Sequence, residues 1–248
     1  MNKLHEQLID IGINRGSTVL MHSSMKALGT SLSPEDFLLE IIDVLTSEGT
    51  LLLPALTYET VTLENPCFSI KESEPCVGIL PKTFMKMDGV VRSMHPTHSV
   101  FARGLNADDL TSRHIRDDTP VGAFSPFMLL PEYGGCILFV GDVLHACTFM
   151  HGLEEIVNAP YTMNKEMTEY TLKDAAGSIC RKKYYTHNFK GWEQEYTRIR
   201  DILNFPDIRT GNICSAHCTL IDAAALKTAA LERFKSDIYA FVSPADGE

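Results

Sequence analysis

The sequence lacks any long apolar run and any cysteine spacing typical of a zinc site or a disulfide scaffold. No segment of the 248 residues approaches the roughly 18 apolar residues of a membrane span, which predicts a protein without a membrane partner. The seven cysteines are odd in number and include no C-x-x-C pair. Residues 1–7 lack the apolar core of a secretory signal, so we expect a cytoplasmic protein with reduced thiols.

Positive charge is scarce as well. Lys and Arg number 22 against 32 Asp and Glu, which gives a formal net charge of −10. This balance excludes the basic surface of a general nucleic-acid binder, so no nucleic-acid partner is expected. It fits a cationic small-molecule partner, although most acidic proteins are simply soluble. The length predicts one domain over residues 1–248.

The order of strand and helix patterns predicts an α/β fold. Residues 17–21 and 50–54 are short apolar runs typical of strands, and Ser33-Pro34 begins a helix between them. The two strands of such a βαβ unit are expected to be parallel. A buried strand at 136–140 precedes a helix from about 148 to 158. We expect a three-layer α/β/α fold with a central mixed, mostly parallel sheet.

Residues 57–78 carry two prolines and no periodicity, which predicts an irregular excursion over the functional side of the molecule. Gly49 is expected to end the helix that begins at Ser33. The remaining predictions lie in the last third of the chain: a hairpin of strands at 167–173 and 179–186, helices at 192–203 and 222–234, and a strand at 237–242.

Two polar segments are candidate binding sites. His22, Ser23 and Ser24 follow the first strand, where ligands gather in an open α/β sheet. Residues 92–99 combine a guanidinium and hydroxyls, which suit phosphate oxygens, with two imidazoles that are alternative metal ligands. An ordinary turn and a polar loop are the competing interpretations.

Residues 141–155 are the most informative segment. His151 has Glu154 and Glu155 three and four residues further along a predicted helix, where side chains are neighbours. A carboxylate that orients an imidazole resembles the base half of a catalytic triad, and histidine is the natural general base near neutral pH. A surface ion pair at the start of a helix is the alternative. Residues 117–126, with two prolines around a glycine, are expected to shape a pocket wall.

Together and in this order, the segments resemble the aminoglycoside 3-N-acetyltransferase family over roughly residues 17–160. The resemblance rests on VLMHSSMKALG at 19–29, GTLLLP at 49–54, the R-S-x-H-P-x-x-S-V stretch at 92–100, D-T-P with S-P at 118–126, and T-x-x-H-x-x-E at 148–154. This sequence departs from the family pattern at two positions. Cys147 stands where the family usually has a small polar residue, and His145 is unusual in that loop.

The resemblance implies direct acetyl transfer from acetyl-CoA to an amine of a polycationic aminoglycoside, with no metal. It makes His151 the general base and Glu154 the residue that orients it. It assigns the coenzyme site to His22, Ser23, Ser24, Met25, Leu28, Arg92, Ser93 and Ser99. Substrate or oxyanion contacts are expected from His95, Thr148, Asp142 and Glu155. A homodimer is left open.

Two alternatives remain at this point. One is a metal-dependent hydrolase that uses His95, His98, His145 and His151 with Glu154. The other is a relative that binds acetyl-CoA and acetylates an acceptor that is not an antibiotic. No role is predicted for His217, Cys214 or Cys218.

Overall fold

The structure, a computed structural model, describes residues 3–245. Its strands are β1 (Thr18–Ser23), β2 (Thr50–Pro54), β3 (Cys67–Ser69), β4 (Val91–Arg92), β5 (Val100–Gly104), β6 (Cys136–Val140), β7 (Thr168–Lys173), β8 (Ile179–Tyr184), β9 (Trp192–Gln194), β10 (Ile208–Ile213), β11 (Ala216–Asp222) and β12 (Val242–Pro244). Its α-helices are α1 (Lys3–Ile11), α2 (Met25–Leu28), α3 (Pro34–Leu45), α4 (Ile79–Phe84), α5 (Ala107–Thr111), α6 (Pro126–Leu129), α7 (Thr148–Ile156) and α8 (Ala223–Ser236).

The main sheet has the strand order β10-β11-β6-β1-β2-β5-β4. β1 is parallel to both β6 and β2, whereas the other neighbouring strands of this sheet are antiparallel. The prediction of a mixed sheet is therefore confirmed, but "mostly parallel" is wrong. The antiparallel flanks are built from β4, β5, β10 and β11, which the apolar pattern of the sequence did not reveal. β10 and β11 are joined by a two-residue turn, which only antiparallel neighbours allow.

Alternate residues of the central strands point to opposite faces of the sheet and fill two separate cores. Leu20, Leu52 and Ile137 belong to the core that α5, α6, α7 and α8 cover. Met21, Leu53 and Leu138 belong to the core on the other face, with apolar residues of α1 and α3. The three-layer α/β/α build is thus confirmed.

Capping side chains begin three helices as the sequence indicates. The hydroxyls of Ser33 and Ser125 and the carboxylate of Asp222 accept backbone N–H bonds in the first turns of α3, α6 and α8. The predicted end of α3 at Gly49 is wrong, because Thr46 already leaves the helix with a φ of 61°. Gly49 is instead required for close packing, since a Cβ there would lie 2.8 Å from Ser17 O.

Two small sheets lie outside the main one. β3 comes from the 57–78 excursion and pairs in parallel with β7, while β7 and β8 form the predicted hairpin. The predicted helix at 192–203 is wrong, because β9 is followed by a 3-10 helix at Tyr196–Asp201. Its two buried residues, Tyr196 and Ile199, are three apart, a spacing that both helix types share. The strand predicted at 237–242 begins only at Val242, as β12, and pairs with β9.

Within residues 3–245, no helix is long and apolar enough to cross a membrane.

Candidate active site

A cleft of about 1280 Å³ opens at the carboxyl ends of β1 and β2. His22 and Ser23 lie at the end of β1, and Leu53 lies near the end of β2. The 57–78 excursion contributes Tyr58 and Leu63 to the wall of this cleft. This is the edge of an α/β sheet where ligands bind, because the strands end there and loops diverge.

His151 lies in the first turn of α7 and lines the cleft with a 17% exposed side chain. Its Nδ1 is 3.2 Å from Glu154 Oε2 and 2.7 Å from the hydroxyl oxygen of Tyr196. The Tyr196 hydroxyl donates its single hydrogen to Glu154 Oε2 at 2.8 Å, so it can only accept from His151. Nδ1 of His151 therefore carries the hydrogen, and Nε2 keeps a lone pair for the cleft. This is the tautomer that a general base needs.

Glu154 is completely buried behind His151, and tyrosines surround its carboxylate. The Tyr161 hydroxyl has Oε1 and the Ile238 carbonyl as acceptors, each at 3.3 Å, and Tyr196 donates to Oε2. Burial, with the neighbouring Glu154 carboxylate second, raises the pKa of both phenols above their usual range. Both tyrosines consequently stay protonated as donors and compensate the buried carboxylate. The predicted i, i+3 pairing of His151 with Glu154 is present, and it is not a surface ion pair.

A second imidazole–carboxylate pair lies beside the first. His187 Nε2 donates to Glu155 Oε1 at 2.9 Å, and both side chains are 8% exposed. The Val121 amide donates to the same oxygen at 2.9 Å. Burial raises the pKa of Glu155 to about 7, while burial and then the charge of His151 lower the pKa of His187 well below its usual value. The sequence analysis missed His187, since it lies 32 residues from its partner.

Further imidazoles surround this pair. The His98 ring lines the cleft 4.9 Å from His187 and 6.4 Å from His151. His22 stacks on Phe139 at 5.2 Å, and burial lowers its pKa to about 3, so it faces the cleft as a neutral ring. His145 also lines the cleft. Among residues 3–245, no group of three or more His, Cys, Asp or Glu side chains has the arrangement of a metal site.

Some of the predicted coenzyme residues near β1 line the cleft and others do not. His22 and Ser23 line the cleft, whereas Ser24, Met25 and Leu28 do not. The Ser24 amide donates to Val140 O at 2.9 Å, and Leu28 is buried in the core on the α3 side of the sheet with Met25 packed against it. The coenzyme contact of these three residues stays a prediction, because the chain turns into α2 at this point and they lie outside the lining of the cleft.

Arg92, Ser93 and Ser99 also lie outside the lining of the cleft, and their side chains bind other parts of the protein. The Arg92 guanidinium is buried between the rings of Phe68 and Phe101, at 4.7 and 4.8 Å. Its nitrogens donate to Ser99 Oγ and to the carbonyls of residues 55, 70 and 73. Burial lowers its pKa to about 9. Four of its five N–H groups are given to protein acceptors, so the buried guanidinium has no pair of free N–H groups left to bind a phosphate with two hydrogen bonds.

The two serines are engaged inside the protein in the same way. Ser99 Oγ donates to Ala55 O at 2.9 Å, and Ser93 Oγ accepts from the Val100 amide at 2.8 Å and lies 2.9 Å from His114 Nδ1. Both are fully buried and neither lines the cleft. These hydroxyls hold β4 and β5 together rather than contacting a ligand.

The remaining predicted contacts differ in outcome. His95 is fully buried outside the cleft, with Nδ1 accepting the amides of Thr97 and His98, so the oxyanion role is corrected. Asp142 is exposed outside the lining of the cleft and pairs with Arg200 at 3.5 Å, so its contact with substrate stays a prediction. Thr148 lines the cleft one turn before His151.

The position of α7 depends on close packing at Gly152. A Cβ on this residue would lie 2.6 Å from the Met128 sulfur and 2.8 Å from Val121 Cγ1. Val121 in turn belongs to the 117–126 segment, in which Asp117 accepts the Phe124 amide at 3.0 Å. The expected pocket-shaping segment therefore acts from behind, as the surface on which α7 rests.

Known proteins share this fold and sequence pattern. The model of the family described as aminoglycoside 3-N-acetyltransferase matches residues 20–235. The chain is 31% identical over 176 residues to aminoglycoside N(3)-acetyltransferase VII of Streptomyces paromomycinus, a match that covers 64% of this chain and 61% of that protein, so it spans less than two thirds of that relative. It is 25% identical over 250 residues to aminoglycoside N(3)-acetyltransferase IX of Micromonospora chalcea, covering 90% and 88% of the two chains.

Among solved structures, AAC-IIIb in its binary complex with CoASH superimposes with a TM-score of 0.82 at 23% identity, covering 98% of this chain and 97% of that one. This likeness shows the fold. Because the family model covers most of the sequence, including the segment that carries His151 and Glu154, the chain belongs to the aminoglycoside 3-N-acetyltransferase family.

Proposed function

We propose that this protein transfers the acetyl group of acetyl-CoA to an amino group of a cationic acceptor, with aminoglycosides at the 3-N position as the first class to test. The observation that carries the proposal is the His151–Glu154–Tyr196 arrangement on the wall of the cleft. Family membership supports it, as do the names of the curated relatives and the CoASH complex of one structural neighbour.

The cleft suits both reactants. Its wall combines apolar side chains of Leu53, Leu56 and Val77 with polar groups at the end of β1, a mixture that fits the alternating methylenes and amides of a pantetheine arm. Among the described residues of the wall, Lys165 and Glu166 are the charged side chains. Lys165 offers a contact for a phosphate, and Glu166 offers one for an ammonium group. With Arg92 engaged elsewhere, Lys165 takes over the role that the sequence assigned to Arg92.

The chemistry follows from the tautomer of His151. The lone pair of the acceptor nitrogen attacks the thioester carbon while Nε2 of His151 removes a proton from that nitrogen. Glu154 stabilises the resulting imidazolium through Nδ1–H. The carbon–sulfur bond breaks, and the sulfur receives the proton that Nε2 holds. Neutral His22 and Thr148 are the groups on the wall that we assign to the carbonyl oxygen. No nucleophilic serine or cysteine takes part.

We also assign the reaction to the cytoplasm. Cys67 and Cys180 are exposed free thiols, which persist in a reducing compartment. Whether two copies associate stays a prediction, tested by the molar mass of the purified protein in solution.

The test is thiol release from acetyl-CoA in the presence of a panel of aminoglycosides. We expect acceptor-dependent release by the wild type, and a loss of at least about 1000-fold in kcat for His151→Ala. His217→Gln is the matched control, because His217 is exposed on β11 away from the cleft. Stabilisation by acetyl-CoA without release would retain the coenzyme and reject the antibiotic acceptor. Undiminished release by His151→Ala would reject the proposed base.

A further inference from the structure

Acetylation of an ammonium group removes two protons from one nitrogen. The acceptor arrives as R–NH₃⁺ because alkylamines have pKa values well above neutral. One proton must leave before the nitrogen has a lone pair, and another must leave as the amide forms. One imidazole cannot hold both at once, so an acceptor that binds as the ammonium ion needs a second proton acceptor in the site.

We propose that His187 and Glu155 form this second acceptor: His187 removes the first proton from the bound ammonium group, and Glu155 stores it. The inference rests on the proposed acetyl transfer and concerns a step that precedes the attack. His187 is the catalytic residue in this step, and Glu155 is a positioning residue that acts through it.

The geometry of α7 supports the assignment. Glu154 and Glu155 are consecutive residues, and each is paired with a different imidazole, His151 at 3.2 Å and His187 at 2.9 Å. The two rings are 4.9 Å apart, and both line the same cleft. A nitrogen atom placed between them is therefore within reach of both. Since Nε2 of His187 donates to Glu155, Nδ1 is the nitrogen left to receive a proton.

Electrostatics explains why the proton passes on to Glu155. Two imidazolium rings 4.9 Å apart in a buried site would repel each other, so His187 cannot keep a charge while His151 gains one. Oε2 of Glu155 is buried outside any hydrogen bond of regular geometry, and burial raises the pKa of Glu155 to about 7 against the smaller, opposite effects of the Thr119 side chain and the Val121 amide. A carboxylate in that condition accepts a proton near neutral pH at little cost.

The transfer balances in atoms and charge. An N–H bond of the ammonium group breaks as Nδ1–H of His187 forms, and Nε2–H breaks as an O–H bond forms on Glu155. The substrate becomes a neutral amine, Glu155 becomes a neutral acid, and His187 remains neutral in its other tautomer. After His151 has passed the second proton to sulfur, the proton on Glu155 returns to solvent by the reverse path. The sum is ammonium plus thioester giving amide, thiol and one proton.

Three other titratable groups face this pair. His151 lies on the same helix, and its charge lowers the pKa of Glu155 and of His187. His98, from the loop between β4 and β5, is kept neutral because burial lowers its pKa. Asp117 lies behind Glu155 and has its own pKa raised to about 6, by burial first and by Glu155 in part. Above pH 7 the Asp117 carboxylate is charged, which further favours a proton on Glu155.

The decisive variant is Glu155→Gln. Its amide oxygen can still accept the hydrogens of Val121 and His187, so the packing of the site is retained, but it cannot take up a proton. We would measure kcat/KM from pH 6 to 9.5 with the aminoglycoside that the wild type acetylates best. For the wild type we expect a rise to about pH 7, where Glu155 ionises, and then a plateau up to the pKa of the acceptor amine.

Glu155→Gln is expected to use only the free amine. Its kcat/KM should then increase tenfold per pH unit up to the pKa of the amine, starting about 10- to 100-fold below the wild type at pH 7.5 and converging with it above pH 9. His187→Asn should give the same profile, and His217→Gln should follow the wild type.

A uniform loss in Glu155→Gln, with the shape of the wild-type profile retained, would overturn the proton-storage role and leave a structural one. Melting temperatures of all variants separate this outcome from misfolding. A wild type that acetylates no amine would instead overturn the proposed function, and this inference with it.

Discussion

Residues 92–99 and residues 148–155 lie close together in space, and each segment carries basic or hydroxyl side chains. In the first segment, the hydrogen bonds of three side chains are made within the protein: those of Arg92, Ser93 and Ser99. In the second, His151 uses one ring nitrogen for Glu154 and Tyr196 and keeps the other for the cleft. A polar side chain is available for chemistry only when the fold leaves part of its bonding capacity unused. The following substitutions test that difference, from the largest expected effect to the smallest.

Glu154→Gln removes the charge behind His151 while keeping the shape of the side chain. We expect kcat to fall about 1000-fold, because the neutral amide neither stabilises the imidazolium nor enforces its tautomer. The melting temperature should stay the same or rise, since a completely buried carboxylate is replaced by a neutral group. Rates and melting curves on the same preparations check both expectations. A loss of stability with full kcat in the folded fraction would contradict the role of Glu154.

Arg92→Met should show the opposite combination. Carbonyls of residues 55, 70 and 73 lose a donor in the interior, for which we expect a loss of about 3 kcal/mol in the free energy of unfolding. The folded fraction should retain its kcat and its KM for acetyl-CoA. Denaturant unfolding measures the stability, and Arg200→Met, at an exposed ion pair, is the control with a loss below about 0.5 kcal/mol. A raised KM for acetyl-CoA with normal stability would return Arg92 to the coenzyme site.

Much of the central fold could be predicted from the sequence, because periodicity is a local property. β1, β2 and β6 are continuous apolar runs, and α3 has both a cap and an apolar stripe. β5 and β10 have no such pattern, and their antiparallel pairing depends on contacts across the chain.

The same limit applies to the site. His151 and Glu154 could be paired because a helix fixes residues three apart as neighbours. Tyr196 and His187 could not, because they come from 45 and 36 residues further along the chain than His151. The role of Arg92 could not be predicted either, since a guanidinium suits a phosphate and a cluster of carbonyls equally well.

Tyr196→Phe removes the hydroxyl that contacts both His151 and Glu154. Its oxygen lies 2.7 Å from His151 Nδ1 and 2.8 Å from Glu154 Oε2, so we expect kcat to fall about 10-fold as the imidazole loses part of its orientation. Tyr161→Phe, which loses a 3.3 Å bond to the other oxygen of Glu154, should cost less. Steady-state rates distinguish the two, and an equal loss in both would show that Tyr196 does not set the tautomer.

Asp142→Asn should have the smallest effect. Asp142 is exposed and forms one surface ion pair, so both the stability and the KM for the acceptor should stay within error of the wild type. Glu166→Gln is the comparison on the cleft wall and should raise the KM for a cationic acceptor about threefold or more. A raised KM in Asp142→Asn alone would place the acceptor at the outer edge of the cleft.

The close packing at Gly152 links the positions of two imidazole–carboxylate pairs, His151–Glu154 and His187–Glu155. A methyl group on residue 152 would overlap the side chains of Met128 and Val121, and the backbone N–H of Val121 donates a hydrogen bond to Glu155. An alanine there would shift the helix that carries His151, Glu154 and Glu155 as one body. In a random library selected for the proposed acetyl transfer, glycine at this position should therefore tolerate replacement as poorly as His151, although it lies outside the lining of the cleft.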